Sequence, residues 1–509
     1  MFPKMDEIIV SAIIGELFGR SVSFLIEACS KRMESPPSEP ESLESLRLLL
    51  LRIGAVVEDA EGRRITNQAM LQQLNTLRHE LQRGHFTLDT FRCHAHERDK
   101  QAQPAGHESG QPHSFALSRF NPAKRLCICS GERSKDLQRV IASLETSIQN
   151  ATEFILLSGR YPRLTRQPYS MYLLIDKCMF GRQMEMELII KFLLQGEQDL
   201  GTEHLGVLPI FGPQNVGKST LVQHACIDER VCNHFSQIVI LSGGDLSAKD
   251  IEALADGAGV IKHQNRAESG GGRVLIIVEL DRDISGDFWQ RLYSTVKNRF
   301  ARGSKIIVTS RSNNIARFGT TLPIRLQFLT QEAFWYFFKV RTFGSVDIVM
   351  EYPKLASIAM EMAREMCGCF IGAAIFGGML RSRLDIGTWS LAHATYREFR
   401  QRNGSISCQN LVDPWALSRP VLVPTMNRVS HGHFVVVKTY QTASTHGDGT
   451  APKVSVQDII LGRARPQGKF AALAWRSHIP PHYNYVFSCE QRMPVCAVTR
   501  KKRTQKVSM

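Results

Sequence analysis

Apolar positions three and four residues apart dominate the first hundred residues. Leu43, Leu46, Leu50, Ile53, Val57 and Ala60 form one such series, and Met70, Leu74, Leu77 and Leu81 resume it after a break near Gly62. Alternating steps of three and four place side chains along one seam of a helix, the pattern of a bundle or a coiled coil. An earlier helix is expected over residues 6–30, with Ile9, Ile13, Leu17, Phe24 and Ala28 on one side. The proline- and serine-rich run Met33–Ser42 separates it from the next, because proline ends helices and the polar residues stay solvated. Residues 1–100 therefore read as an N-terminal helical bundle or coiled-coil domain. Its seam closes within the chain or faces a partner protein, and the pattern alone allows both.

Beyond residue 200 the period changes. Val207–Phe211, Ser236–Ser242, Arg273–Leu280 and Ser304–Ser310 are short continuous apolar runs with helical segments between them. Such runs predict a parallel sheet covered on both faces. A helical pattern over Met171–Leu194 precedes the sheet. Residues 325–400 read as helices again, from "LTQEAFWYFFK" onward, with Thr330 as the expected N-cap. The segment Lys100–Pro122 is polar, with proline and glycine, and reads as linker. After residue 401 the chain looks mostly irregular, with one alternating strand at His433–Tyr440. The expected organisation is a helical domain over 1–100, a linker region over 101–169, a nucleotide-type α/β domain over 170–318, a helical subdomain over 319–400 and a basic region over 401–509. No leucine-patterned repeat of 20 to 30 residues is present.

Composition narrows the class. At 43% hydrophobic and 22% charged, the 509 residues are those of a globular protein. No run is long and apolar enough for a transmembrane helix. The apolar N-terminus opens on Asp6 and Glu7 and is broken by Glu16 and Arg20, the reverse of a secretory signal. The twelve cysteines lack framework spacing, which fits a reducing compartment, and a cytoplasmic location is expected. Cys93, His94 and His96, and likewise Cys127 and Cys129, are separated by gaps too short for ordinary zinc spacing. The net charge of +15 is concentrated in part in the tail Thr499–Lys506. That run suits nuclear import or contact with nucleic acid or anionic lipid, and suits a solvated end equally well.

The most specific chemistry lies between the first strand and its helix, in "IFGPQNVGKSTLV" (Ile210–Val222). Gly212, Pro213, Gln214, Asn215, Val216, Gly217, Lys218 and Ser219 satisfy G-x-x-x-x-G-K-[ST] at every fixed position, and Thr220 follows. Glycines let successive backbone N–H groups converge on phosphate oxygens, and the following helix adds its positive end. Lysine neutralises the phosphates, and the serine hydroxyl is a ligand for Mg²⁺.

Several further segments, in order, resemble the NB-ARC module of plant disease-resistance proteins of the coiled-coil class, the grass type in particular. "MFGRQMEMELIIKFL" (Met179–Leu193) is similar to the module's opening motif, "VCNHFSQIVIL" to its next strand motif, and "RVLIIVELDRDISGDFW" (Arg273–Trp289) to its Walker B segment. "RGSKIIVTSR" resembles the strand that ends in a sensor arginine, here Arg311. "LQFLTQEAFWYFFKVRTFGS" and "MAREMCGCFIGAAIFGGML" resemble the helical subdomain motifs, and "LRHELQRGHFTLDTF" the N-terminal helix that packs on the module. The resemblance covers roughly residues 5–395. It implies an α/β P-loop NTPase core with an N-terminal helical bundle and an ARC-type helical subdomain. It also implies ADP or ATP with Mg²⁺ as ligands, with Phe180, Gly181 and Arg182 turned against the adenine and Glu279 joining Ser219 at the metal.

The chain also departs from the family. The paired aspartates of Walker B are here Glu279 and Leu280, and Leu280 has no group to orient water; Asp281 would need a slip of register to replace it. No catalytic residue is therefore assigned. The Gly-Leu-Pro-Leu loop is Gly368–Ile371 without its proline, the Met-His-Asp motif has only a poor match at Ser430–Phe434, and leucine-rich repeats are missing. The expected function is a nucleotide-binding switch of the immune-receptor type, acting in defence as a repeat-less member. Other proteins would be met through the N-terminal helices. The alternatives are an active ATPase that remodels nucleic acid or protein, and a scaffold that keeps only the fold.

Overall fold

The computed structural model describes residues 38–102, 130–163, 180–195, 205–243, 261–264, 272–280, 282–344, 351–404, 420–426, 433–443, 452–476 and 483–491. The expected helix over 6–30, the linker core, Cys127, Cys129, residues 171–179, Asp281, Ser430 and the tail 499–506 lie outside these residues, as do the side chains of His94 and His96. The chain divides into two compact units. The first contains the N-terminal helices with Glu332–Phe337 and the described part of Ser345–Ala356, and the second contains the remainder.

In the first unit α1 (Glu39–Glu61), α2 (Gln68–Ala102) and α3 (Ser130–Ser158) each pack on the other two. A capping interaction starts α1, where the Ser38 N–H donates to Glu41 Oε2 at 3.1 Å. The seam read from sequence is buried: Leu46, Leu50, Ile53, Val57 and Ala60 are at most 4% exposed. Met70, Leu74, Leu77 and Leu81 are buried too. A Cβ on Gly84 would lie 2.5 Å from Leu50 Cδ2 and 3.2 Å from Leu144 Cδ1, so glycine at this point lets three helices meet. The buried Glu61–Arg78 ion pair (2.7 Å) ties α1 to α2. Arg63 donates to the carbonyls of Gly159 and Tyr161 at the end of α3. The seam is thus occupied within the chain and does not face a partner at these positions.

Two expectations are corrected. The region 101–169 is not simply linker, because α3 fills 130–158 and buries Leu137, Val140, Leu144 and Ile148. Its apolar period is as regular as that of α1, but it follows a polar stretch that hid it. The region after 401 is not mostly irregular either. Its described residues form β7 (Val421–Pro424), β8 (His433–Ala443), β9 (Lys469–Arg476) and β10 (Tyr483–Gln491), an antiparallel sheet in the order β7-β8-β10-β9, with α12 (Val456–Ile460) between β8 and β9 in the chain. Register shifts at Tyr485/Val486 and Ser488/Cys489 break the alternation of β10, and that alternation is the signal a strand shows in sequence.

The second unit is built on a six-stranded sheet. Its strands are β1 (Gly206–Phe211), β2 (Gln237–Gly243), β3 (Ile261–Gln264), β4 (Val274–Leu280), β5 (Lys305–Ser310) and β6 (Ile324–Arg325), in the order β3-β2-β4-β5-β1-β6. All pairs are parallel except the edge pair β2–β3. The four apolar runs named from sequence are β1, β2, β4 and β5. They lack alternation because both faces are covered. Ile189 and Leu193 of α4 (Gln183–Leu194) and Leu221 and Val222 of α5 (Lys218–Ile227) share a core with Ile210, Ile277 and Ile307. On the other face Trp289, Leu292 and Val296 of α7 (Gly286–Arg299) share one with Val207, Val278 and Val308. The short α6 (Glu229–His234) leads into β2.

Among the described residues, the sheet is followed first by α8 (Gln331–Phe343), α9 (Pro353–Met366), α10 (Phe370–Arg381) and α11 (Ile386–Asn403). The turn before α10 is made without proline by Cys367 (φ 50°) and Gly368 (φ 86°). A Cβ on Gly368 would lie 2.8 Å from Phe328 Cβ. No helix among the described residues is long and apolar enough to cross a membrane.

Candidate functional site

In open parallel sheets, ligand crevices form beyond the carboxyl ends of the strands. Here the carboxyl ends of β1, β4 and β5 bring together the loop 212–217, Glu279 and Arg311. Gly212 leaves β1 with its N–H on the Ser310 carbonyl at 3.3 Å. A Cβ at Gly212 would lie 2.3 Å from the Leu326 carbonyl oxygen, so only glycine fits there. Asn215 (φ 61°) and Gly217 (φ 94°) adopt left-handed backbone that bends the loop into α5. A Cβ on Gly217 meets nothing within 4 Å, so the backbone angle and not a packing neighbour calls for glycine. Val216 is buried and anchors the loop, while Pro213 is exposed.

Lys218 opens α5 and turns back over the loop, its Nζ donating to the carbonyls of Gly212 (2.9 Å) and Pro213 (2.7 Å). Burial, then the nearby Arg311 charge, lowers its pKa to about 8, against the attraction of Glu279. A site that depresses a lysine in this way favours an added anion, which restores the charged form. The Arg311 guanidinium donates to Gln214 Oε1 at 2.9 Å and so links the end of β5 to the loop.

Glu279 is partly buried in β4, opposite Ser242 of β2 and Thr309 of β5. Ser219 and Glu279 supply hard oxygen donors of the type Mg²⁺ takes, and Mg²⁺ commonly keeps waters and phosphate oxygens for its remaining positions. No group of three or more histidine, cysteine or acidic side chains fit to hold a metal occurs among the described residues. Leu280 stays in the ladder opposite Ser310 and Gly243. Its side chain is 5% exposed and lies in the apolar core with Val278 and Trp289. Asp283 accepts from Asn314 Nδ2 at 2.7 Å, at the start of the 3₁₀ turn Asn313–Phe318.

Phe180, Gly181 and Arg182 form the turn before α4. Phe180 is buried, Gly181 has φ 68°, and the buried Arg182 donates to the Gln327 carbonyl and pairs with Glu185 at 3.2 Å. One neighbour of α5 has no signal in the sequence. Tyr485 of β10 lies 3.1 Å from the hydroxyl of Thr220, and nothing in a sequence separation of 265 residues announces that contact.

The parallel sheet, the glycine loop after β1 and the helix it opens together make this a P-loop NTPase-like core. The relatives of the chain in sequence are plant disease resistance proteins. It is 25% identical to the disease resistance protein RGA2 of Solanum bulbocastanum, over 69% of this chain and 35% of that protein. It is 24% identical to an RPP13-like protein 1 of Arabidopsis thaliana, also described as a disease resistance protein, over 76% of this chain and 37% of that protein. The chain thus spans little more than a third of these curated relatives. No protein-family model matches it. Among solved structures, one of Drosophila ORC bound to DNA aligns at a TM-score of 0.24 and 12% identity, covering 50% of this chain and 68% of that one.

Proposed function

We propose that the chain is an ADP/ATP-binding switch of the plant immune-receptor type. The observation that carries this reading is the loop after β1, whose backbone angles, glycine contacts and depressed Lys218 together fit a phosphate group. In this reading the backbone N–H groups of Gly212–Gly217 and the start of α5 hold the phosphates. Lys218 exchanges its two carbonyl partners for phosphate oxygens, and Ser219 and Glu279 hold Mg²⁺, which supplies charge neutralisation between the phosphates. The turn Phe180–Arg182 lies against the adenine, and Arg311 reports the position of the loop through Gln214.

Holding a state is favoured over turnover. Hydrolysis needs a side chain to orient or deprotonate the attacking water. Leu280 occupies the position where the resemblance expects that group, and its side chain belongs to the apolar core. The test is calorimetric titration of the purified chain with Mg-ADP. Charge-assisted bonds are worth about 1.5–3 kcal/mol, so Lys218→Ala should weaken binding by at least roughly tenfold. Equal affinity in parent and variant, or no binding by either, rejects the switch. Turnover of several ATP per minute by the parent would reject the holding reading and leave the grip intact.

A further inference from the structure

The sheet β7–β10 has so far no part in the site, yet one of its side chains rests on the helix that the phosphate loop opens. Tyr485 Oη lies 3.1 Å from Thr220 Oγ1, one residue beyond Ser219 in the first turn of α5. The tyrosine is firmly placed. Its strand β10 is interior to the sheet, with Gln441 of β8 on one side and Trp475 of β9 on the other. The Trp475 ring packs on it with centroids 5.2 Å apart.

Two hydroxyls in contact share one hydrogen bond, so the one that accepts keeps its own O–H to give onward. Burial pushes the Tyr485 phenol above its ordinary pKa; the Thr220 contact opposes this and the Glu279 charge adds to it. The phenol is therefore a protonated donor at neutral pH.

We propose that Tyr485 is a residue of the nucleotide site, its hydroxyl and that of Thr220 together passing one O–H on to a phosphate oxygen of a nucleoside diphosphate and so making the β7–β10 sheet part of the switch. The inference rests on the switch reading above. It predicts a coupling in both directions, since a ligand that gains from the pair also steadies β10.

The test is ADP titration of the full chain and of Tyr485→Phe, Thr220→Val and the double variant, with thermal midpoints alongside. Phenylalanine keeps the ring on Trp475 and removes only the hydroxyl. Tyr485→Phe should weaken ADP about fivefold, the equivalent of one ordinary hydrogen bond, with only a small fall in midpoint. The double variant should bind no more weakly than Thr220→Val alone, since the hydroxyls act as one unit. Independently, ADP should change the tryptophan emission of the parent, and this change should be lost in Trp475→Phe. If the parent binds ADP but Tyr485→Phe binds equally well, or the two losses add, the inference is overturned and the switch stands. If the parent binds no ADP, the switch reading fails first and this inference falls with it.

Discussion

The carboxyl ends of β1 and β4 lie in the same sheet with only β5 between them, and the resemblance to disease-resistance proteins assigns chemistry to both. At β1 the polypeptide leaves the ladder at once. Gly212 passes against the Leu326 carbonyl, two left-handed residues bend the loop, and Lys218 folds back over it. At β4 the strand remains paired through Leu280. Successive side chains of a strand point to opposite faces, so Glu279 and Leu280 are directed apart, and Leu280 joins the core beside Trp289. The backbone pattern therefore survives at one end while the other end has been absorbed into packing. On the switch reading, that contrast leaves the loop to grip the phosphates and Leu280 unable to orient water.

The largest expected effect tests the β4 side. Leu280→Asp removes a packed side chain and puts a carboxylate into an apolar core, at a cost of more than about 3 kcal/mol. Urea unfolding should record that loss, with no gain in ATP turnover. A variant as stable as the parent that hydrolyses ATP would erase the distinction between the two ends.

Gly212→Ala probes the β1 side. Its Cβ would lie 2.3 Å from a backbone oxygen, and the forced shift should cost about 1–3 kcal/mol and damage ADP binding. Gly286→Ala is the control, because a Cβ there meets nothing within 4 Å and the angle is ordinary. Thermal melts of the two should differ clearly.

A smaller effect comes from protons. Burial lowers the Lys218 pKa to about 8, and on the switch reading a bound phosphate raises it again. Affinity is therefore full below pH 8 and falls as pH rises through it, by roughly tenfold between pH 7 and 9. Calorimetry in buffers of different ionisation enthalpy should show proton uptake at pH 9. A flat profile would place Lys218 away from the phosphates.

The smallest expected change links the two ends. Glu279→Gln removes the attraction that supports the charged form of Lys218. The pH at which ADP affinity begins to fall should move down by a fraction of a unit in the same titration.

Local chemistry was legible in the sequence wherever one segment satisfies its own demand. The spacing alone marks Lys218, Ser219 and the loop glycines, and continuous apolar runs mark four strands of the parallel sheet, since a strand covered on both faces needs no partner's sequence to declare itself. The edge strands β3 and β6 are not legible there, because four and two residues carry too little pattern. Helix α3 is hidden in the sequence behind a polar stretch.

What only the tertiary structure decided is which neighbour each patterned surface meets. The seam of α1 gives the same spacing whether it closes on α2 and α3 or on another molecule, and the fold buries it inside the chain. Leu280 reads as a missing aspartate in the motif, but the ladder shows it to be a core residue. Tyr485 has no local pattern at all. Its contact with Thr220 spans 265 residues, because packing and register sum interactions from distant segments that no local period records.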